Sequence, residues 1–232
     1  FSNPISSTDD INNLDAFDLN ALDYVFKAVE ETKNLIPTTL PLIGFCGSPW
    51  TLAAYSIEGG GSKDFKKTKT FVAENPNALH DFLEILSDAC YQYLKQQVLS
   101  GVNALQIFDS WADLLSENEL DLFSLRYTKK ITQKLKNDPI TKHIPVILFE
   151  KNPNKDIKEI VFEDLSCISL HWNSDIGIIS ESLKNDIAIQ GNLDPKVLTK
   201  SDEIIQEEVR KICSIMKDYP GYIFNLGHGV DK

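Results

Sequence analysis

The chain has 232 residues, 42% of them hydrophobic and 25% charged, with a formal net charge of -11, a balance that supports a sizeable buried core and excludes a disordered polypeptide. The acidic surplus excludes a protein that coats nucleic acid, which needs a basic face. No apolar run reaches the roughly 18 residues that cross a bilayer, so no membrane association is expected.

Residues 1–18 are rich in Ser, Asn and Asp and read as irregular, with no signal peptide among them. Over 19–34 the apolar residues Leu22, Val25, Phe26 and Val29 recur at helical spacing. Residues 41–45 form a short apolar run that predicts a buried strand. It leads into Gly47-Ser48-Pro49, where Ser48 is placed to cap a helix with Pro49 at its first position. That helix covers 50–57 and stops at the glycines 59–61. A short helix over 64–72 and a long one over 77–99 follow, the latter closed by Gly101 where a left-handed cap belongs. The next strand is 104–108, then a helix over 117–135 and a strand over 145–149. A helix over 155–162 leads to a strand at 167–171, one over 175–183 to a strand at 187–190, and one over 202–216 to a strand at 222–225.

Six strands separated by helices imply a parallel sheet with crossover connections. The strands are apolar throughout rather than alternating, as expected where both faces are covered. Two α/β architectures fit: an open doubly wound sheet, or most of an eight-stranded barrel. No internal repeat or linker divides the chain, so 1–232 reads as a single domain.

In parallel α/β folds ligands gather beyond the C-terminal ends of the strands. The residues there are Phe45, Gly47 and Ser48, with Tyr55 on the helix behind, then Asp109, Ser110 and Trp111, then Glu150, Lys151 and Asn152. Further on come His171, Trp172 and Asn173, then Gly191, Asn192 and Asp194, and finally Gly227, His228 and Gly229. This polar, aromatic, glycine-bearing rim suits a small-molecule pocket. Bland readings compete: Gly47-Ser48-Pro49 as a plain strand-to-helix turn, Asp109-Ser110 as a helix cap, and Trp50, Trp111 and Trp172 as packing. His228 between two glycines favours a site, because glycine lets a ligand approach the backbone. His80 and His143 read as surface residues. Gly59 to Lys63 lacks the P-loop order and follows a helix, and neither Ser48 nor Ser110 lies in a nucleophile elbow.

Cys46, Cys90, Cys167 and Cys213 stand far apart, with no C-x-x-C or His-x-Cys arrangement, so no metal site is expected. Cys90 and Cys167 read as buried reduced thiols, which fits a reducing compartment, in the simplest case the cytoplasm or else an organelle. Arg126 and Arg210 are the only arginines, and both fall in predicted helices. A carboxylate-rich ligand would therefore draw guanidinium contacts from outside these residues.

The run PLIGFCGSPWTLAAYSIEGGGSK at 41–63 resembles the signature of the uroporphyrinogen decarboxylase family. So do ALQIFDSWADLLS at 104–116, the apolar strand ahead of Trp172, AIQGNLDP at 188–195 and FNLGHG at 224–229. The resemblance implies a (β/α)8 TIM barrel, incomplete here, whose six strands are the third to the eighth, and a homodimer at full length. It implies removal of CO2 from the four acetate side chains of uroporphyrinogen III to give coproporphyrinogen III, with no metal or organic cofactor. It also implies that Phe45 and Phe108 pack against the macrocycle while Tyr55, Ser110 and His228 meet substrate carboxylates. The family's arginine motif and acidic residue would lie before this chain and a further helix after it, so no catalytic residue is expected within it and the chain alone is expected to be inactive. Two departures stand at the rim: Leu170-His171-Trp172-Asn173 where the family has Leu-Asp-Trp-Thr, and Lys151-Asn152-Pro153-Asn154 where it has a glycine-rich loop. Alternative readings are a corrinoid-linked methyltransferase on the same barrel, which would need His and Cys zinc ligands where Glu150 and Lys151 stand, and a non-catalytic porphyrin-binding relative.

Overall fold

A computed structural model describes residues 3–151, 156–184 and 186–230. The polar N-terminal stretch is not wholly irregular: a short helix, α1 (Thr8–Asn12), forms there. Its cause is a capping box, in which Ser7 Oγ accepts from Asp10 N and the Asp10 carboxylate accepts from Ser7 N. A 3-10 turn (Leu19–Leu22) then leads into α2 (Asp23–Leu35), which buries Phe26.

β1 (Ile43–Gly47) starts two residues later than the apolar run suggests. Pro41 has no N–H to pair, and the Leu42 N–H is taken by Asn103 Oδ1 at 3.0 Å, so the ladder begins at Ile43 opposite Ala104. α3 (Pro49–Glu58) ends at Gly59, whose φ of 94° is the left-handed cap that glycine adopts without strain. α4 (Lys66–Glu74), α5 (Pro76–Leu99) and β2 (Ala104–Asp109) follow. The predicted helix over 117–135 is interrupted: α6 (Glu117–Glu119) passes through a π-helical turn (Leu120–Leu125) before α7 (Arg126–Asn137). The remaining elements are β3 (Val146–Glu150), α8 (Ile157–Ile160), β4 (Cys167–Leu170), α9 (Ile176–Leu183), β5 (Ala188–Leu193), α10 (Asp202–Ile215) and β6 (Tyr222–Leu226).

All five pairings are parallel and the sheet order is β1-β2-β3-β4-β5-β6. A doubly wound sheet reverses its strand order at a switch point, and this one never does. Right-handed crossovers in one unbroken direction place the helices on one side of the sheet. Under them lies the row Ile107, Leu148, Ile168 and Ile189, in register across four strands and buried to 1% exposure or less. Each such side chain contributes about 1.5–3 kcal/mol of burial.

The other face carries Phe45, Gln106, Phe108, Phe149, Ser169 and Gln190. Here Gln190 Nε2 donates to Gln106 Oε1 at 3.3 Å. Their strands are three places apart, which in a flat sheet would separate them by about 14 Å. The sheet therefore curls, and its concave face is the inside of a barrel wall. The architecture is an incomplete (β/α)8 barrel, open between β1 and β6, where Phe45 and Ile223 remain exposed. Among the described residues no helix is long and apolar enough to cross a membrane.

Candidate functional site

The strand-to-helix turn after β1 does two jobs. Ser48 Oγ accepts from Thr51 N at 2.9 Å, capping α3, and donates to Asp109 Oδ1 at 2.7 Å. Thr51 Oγ1 donates to the same oxygen at 3.0 Å, and Ser124, carried inward by the π-helical turn, donates to Asp109 Oδ2. Asp109 thus caps no helix; it is a fully buried carboxylate that ties β2, α3 and the π-turn together. Burial pushes its carboxyl up, the hydroxyls of Ser124, Ser48 and Thr51 pull it down, and Asp113 pushes it up again. This knot fixes the end of β2, and Ser110 is the next residue.

Ser110 faces a cavity of about 380 Å³, lined also by Phe108, Phe149, Asn225 and His228, with Gln106 and Ser169 beneath. The Gln190 amide bridges Gln106 Oε1 and Ser169 Oγ, the latter at 3.1 Å, so this floor is neutral and internally bonded. An aromatic row runs along the wall. Phe45 meets Phe108 edge-on at 5.7 Å, Phe108 meets Phe149 at 5.8 Å, and Phe149 meets the His171 ring at 6.4 Å. His171 then meets His228 edge-on at 5.7 Å.

His171 is buried, and its Nδ1 bonds to Asn173 Oδ1. Burial holds its imidazole below the ordinary range; Asn173 works against this, Lys151 and His228 push it further down, and Asp113 works against them. Asn192 braces the loop by donating to His171 O at 3.0 Å and Ser174 O at 2.8 Å. The glycine before His228 has a different purpose from the one its sequence suggests. A Cβ on Gly227 would lie 2.5 Å from Trp172 Cα and 2.8 Å from its Cβ, so the close approach is to the protein's own backbone.

Of the sequence-predicted site residues, Phe108, Ser110 and His228 line this cavity, and Phe45 joins through its ring contact. Tyr55 does not line it. Its ring packs on Phe65 at 6.3 Å and Trp111 at 5.8 Å. Lys151 Nζ lies 5.3 Å over Trp111 and pairs with Asp113 at 3.0 Å, while Trp50 Nε1 donates to Trp111 O at 2.8 Å. His80 is half-buried rather than superficial, bonded to Tyr127 Oη at 2.6 Å. Asn152, Pro153 and Asn154 lie outside the described residues. Sequence reasoning missed Gln106, Phe149, Ser169 and Gln190; two glutamines at strand positions facing the same way were the available signal.

Residues 1–231 match the family described as uroporphyrinogen decarboxylase (URO-D). The chain is 41% identical over 230 residues to the uroporphyrinogen decarboxylase of Vesicomyosocius okutanii subsp. Calyptogena okutanii, a match covering 99% of this chain and 66% of the relative. The uroporphyrinogen decarboxylase of Pseudoalteromonas atlantica is 40% identical over 231 residues, and that of Pseudomonas putida (strain F1) 41% over 231; each match covers 99% of this chain and 65% of the relative. The chain thus spans slightly less than two thirds of the length of these relatives. Among solved structures, a methyltransferase from Methanosarcina mazei superposes with a TM-score of 0.74 at 16% identity, covering 93% of this chain and 62% of its own. A B12-independent methionine synthase from Shewanella sp. W3-18-1 gives 0.57 at 13% identity, covering 87% and 59%. These two likenesses concern the fold alone.

Proposed function

The chain belongs to the uroporphyrinogen decarboxylase family, and from that premise we propose that it serves the removal of CO2 from the four acetate side chains of uroporphyrinogen III, giving coproporphyrinogen III. The observation that carries the reading is the convergence of Phe108, Ser110 and His228 on one cavity at the C-terminal ends of the strands. In the proposed mode Phe45 and Phe108, continued by Phe149, pack against the macrocycle, and Ser110 and His228 hold carboxylates. Tyr55, whose hydroxyl has no partner among the described residues, takes a carboxylate at the outer rim beside Trp111.

The chemistry needs no metal or organic cofactor. Protonation of a pyrrole carbon gives a cation that accepts the electron pair of the departing carboxylate, so the protein must supply an acid, a counter-charge and orientation. No carboxylate or arginine lines the cavity among the described residues. The residues that do line it are suited to binding and orientation. The isolated 232-residue chain is accordingly proposed to bind the tetrapyrrole without turning it over. As further proposals from the resemblance, 1–232 forms part of one barrel domain, the working protein is a homodimer, and it resides in the cytoplasm.

The test has two arms. The chain should bind uroporphyrin III saturably, read by porphyrin fluorescence, and anaerobic incubation with uroporphyrinogen III should give no less-carboxylated product. Joined to the third of the Pseudomonas putida relative that the match leaves uncovered, and shown to be folded by circular dichroism, it should convert uroporphyrinogen to coproporphyrinogen. A folded joined chain that makes no product overturns the reading, and turnover by the isolated chain overturns the proposed division of labour.

A further inference from the structure

The end of β4 carries a titratable group that the reading above leaves unused. His171 is enclosed by Phe149, Trp172 and His228, with ring centroids at 6.4, 5.3 and 5.7 Å. Phe149 and His228 line the cavity, so His171 stands directly behind its wall. Its Nδ1 is held by Asn173 Oδ1. Asn173 N also donates to that nitrogen, at 3.5 Å, and Nε2 has no partner among the described residues, which leaves it open to respond to a ligand's charge.

Charged and titratable groups approach the ring from each element packed around it. Lys151 comes from just past the end of β3 and Asp113 from the segment after β2, where it pairs with Lys151 at 3.0 Å, while Glu150, in register with Leu170, lies on the helix-facing side. Lys196 lies 5.7 Å over the adjacent Trp172 ring, and His228 comes from the end of β6. Lys151 is neutralised by its pairing with Asp113, so the two imidazoles, His171 and His228, are the proton acceptors on this side of the cavity.

We propose that binding of a carboxylate in this cavity is coupled to uptake of a proton by His171, which makes His171 a determinant of which anionic ligands the cavity holds and at what pH. The inference rests on the decarboxylase reading for the identity of the carboxylate ligand, and on the geometry for the rest. In the free protein, burial, with Lys151 and His228 beside the ring, holds the imidazole below its ordinary range against the opposing pull of Asn173 and Asp113. A carboxylate held by Ser110 and His228 adds a negative charge just across the His228 ring, in a site partly withdrawn from water. That charge favours the imidazolium. Between the free and ligand-bound titration points of the ring, affinity rises by about tenfold for each pH unit of acidification, because one extra proton enters the complex. His171 acts through its neighbour and through charge. It is a positioning and specificity residue, with no bond-making role.

The experiment uses the chain with uroporphyrin III as the probe. Isothermal titration at pH 7 in phosphate and in Tris, which differ in heat of ionisation, counts protons taken up on binding. The wild-type chain should take up more protons on binding than His171→Asn, and the variant's affinity should depend less steeply on pH. Nitrogen-15 shifts of the His171 imidazole in the wild-type chain give a reading independent of how well the variant folds: its titration should move to higher pH when uroporphyrin is bound. Equal proton uptake in the two proteins, or an unmoved His171 titration in the wild-type complex, overturns the inference and leaves the decarboxylase reading intact. Absence of uroporphyrin binding at every pH removes both.

Discussion

The two glycines flanking His228 provide a paired test of how the rim is built. An alanine at 227 would place its Cβ 2.5 Å from Trp172 Cα and 2.8 Å from Trp172 Cβ, and closer still to the Trp172 nitrogen. These are mostly backbone atoms, which no rotamer change can move aside. Either the end of β6 or the loop after β4 must shift by about 1 Å, an overpacking cost of roughly 1–3 kcal/mol. Such a shift also strains the bond from Gly227 N to Leu193 O, 2.8 Å long, and a lost backbone bond adds about 1 kcal/mol. Gly227→Ala is therefore expected to lose about 2–4 kcal/mol, which for a chain of this length lowers Tm by on the order of 10 °C. A Cβ on Gly229 meets nothing within 4 Å, so Gly229→Ala should be neutral, or more stable by up to about 1 kcal/mol through the unfolded chain. Urea unfolding and calorimetry of the two variants measure both. Comparable losses at 227 and 229, or a Gly227→Ala protein within about 0.5 kcal/mol of wild type, would refute the argument that this glycine exists for the Trp172 backbone.

Asp109→Asn should remove a buried charge while keeping an acceptor for Ser48 and Thr51. Since burial raises the Asp109 carboxyl above its ordinary value, wild-type stability should improve relative to the variant as pH falls from 7 through the folded pKa towards about 4; urea midpoints that drift the other way would contradict it. Asp138 receives Lys95 Nζ at 2.7 Å, Tyr91 Oη at 2.6 Å and Ile140 N at 2.8 Å, bonds that hold its carboxyl down at about 2. Asp138→Asn should cost stability at pH 7, and the gap should close as pH falls from about 4 towards 2, checked by melting temperature; a gap independent of pH would show that the charge is irrelevant there. Ser110→Ala should weaken uroporphyrin III binding by about 1.5–3 kcal/mol, the worth of a hydrogen bond to a charged group, with little change in Tm; unchanged affinity in a fluorescence titration would take Ser110 out of the site.

The middle of the barrel wall, β2 to β5, was legible because its strands are covered on both faces. Ile107, Leu148, Ile168 and Ile189 form a row under the helices, and a doubly covered strand reads as an unbroken apolar run. Elements that depend on polar bookkeeping were not legible. α1 rests on Ser7 and Asp10 exchanging bonds within a stretch whose composition suggests no structure, and the π-helical turn leaves the helical periodicity of 117–135 almost unchanged. β5 runs on through Gly191 to Leu193, because that glycine pairs opposite Phe224 in the ladder, where a sequence reading takes it as a stop. At the site, chain position identified which residues stand at strand ends but not how they face. Tyr55 is not among the residues that line the cavity; its ring packs edge-on against Trp111, which Trp50 and Lys151 hold. That His171 meets His228 follows from a curl of the sheet that brings the ends of β4 and β6 together over β5, which no local pattern records.

The vertical order of polarity in the cavity explains why this arrangement suits a ligand with an apolar body and acidic edges. The floor is made of amides and a hydroxyl, in which Gln190 Nε2 donates to both Gln106 and Ser169. It carries no charge that a bound ring would strip of water at several kcal/mol. The middle is Phe108 and Phe149, with Phe45 at the open edge of β1. The ionisable groups His171, His228, Lys151 and Asp113 stand at or beyond the strand ends, His171 buried and His228 exposed. Moving any of these charges one layer down would cost more in desolvation than a carboxylate could return. Apolar contact and charge recognition are thus kept on separate levels, and the curl of the sheet presents both to one ligand.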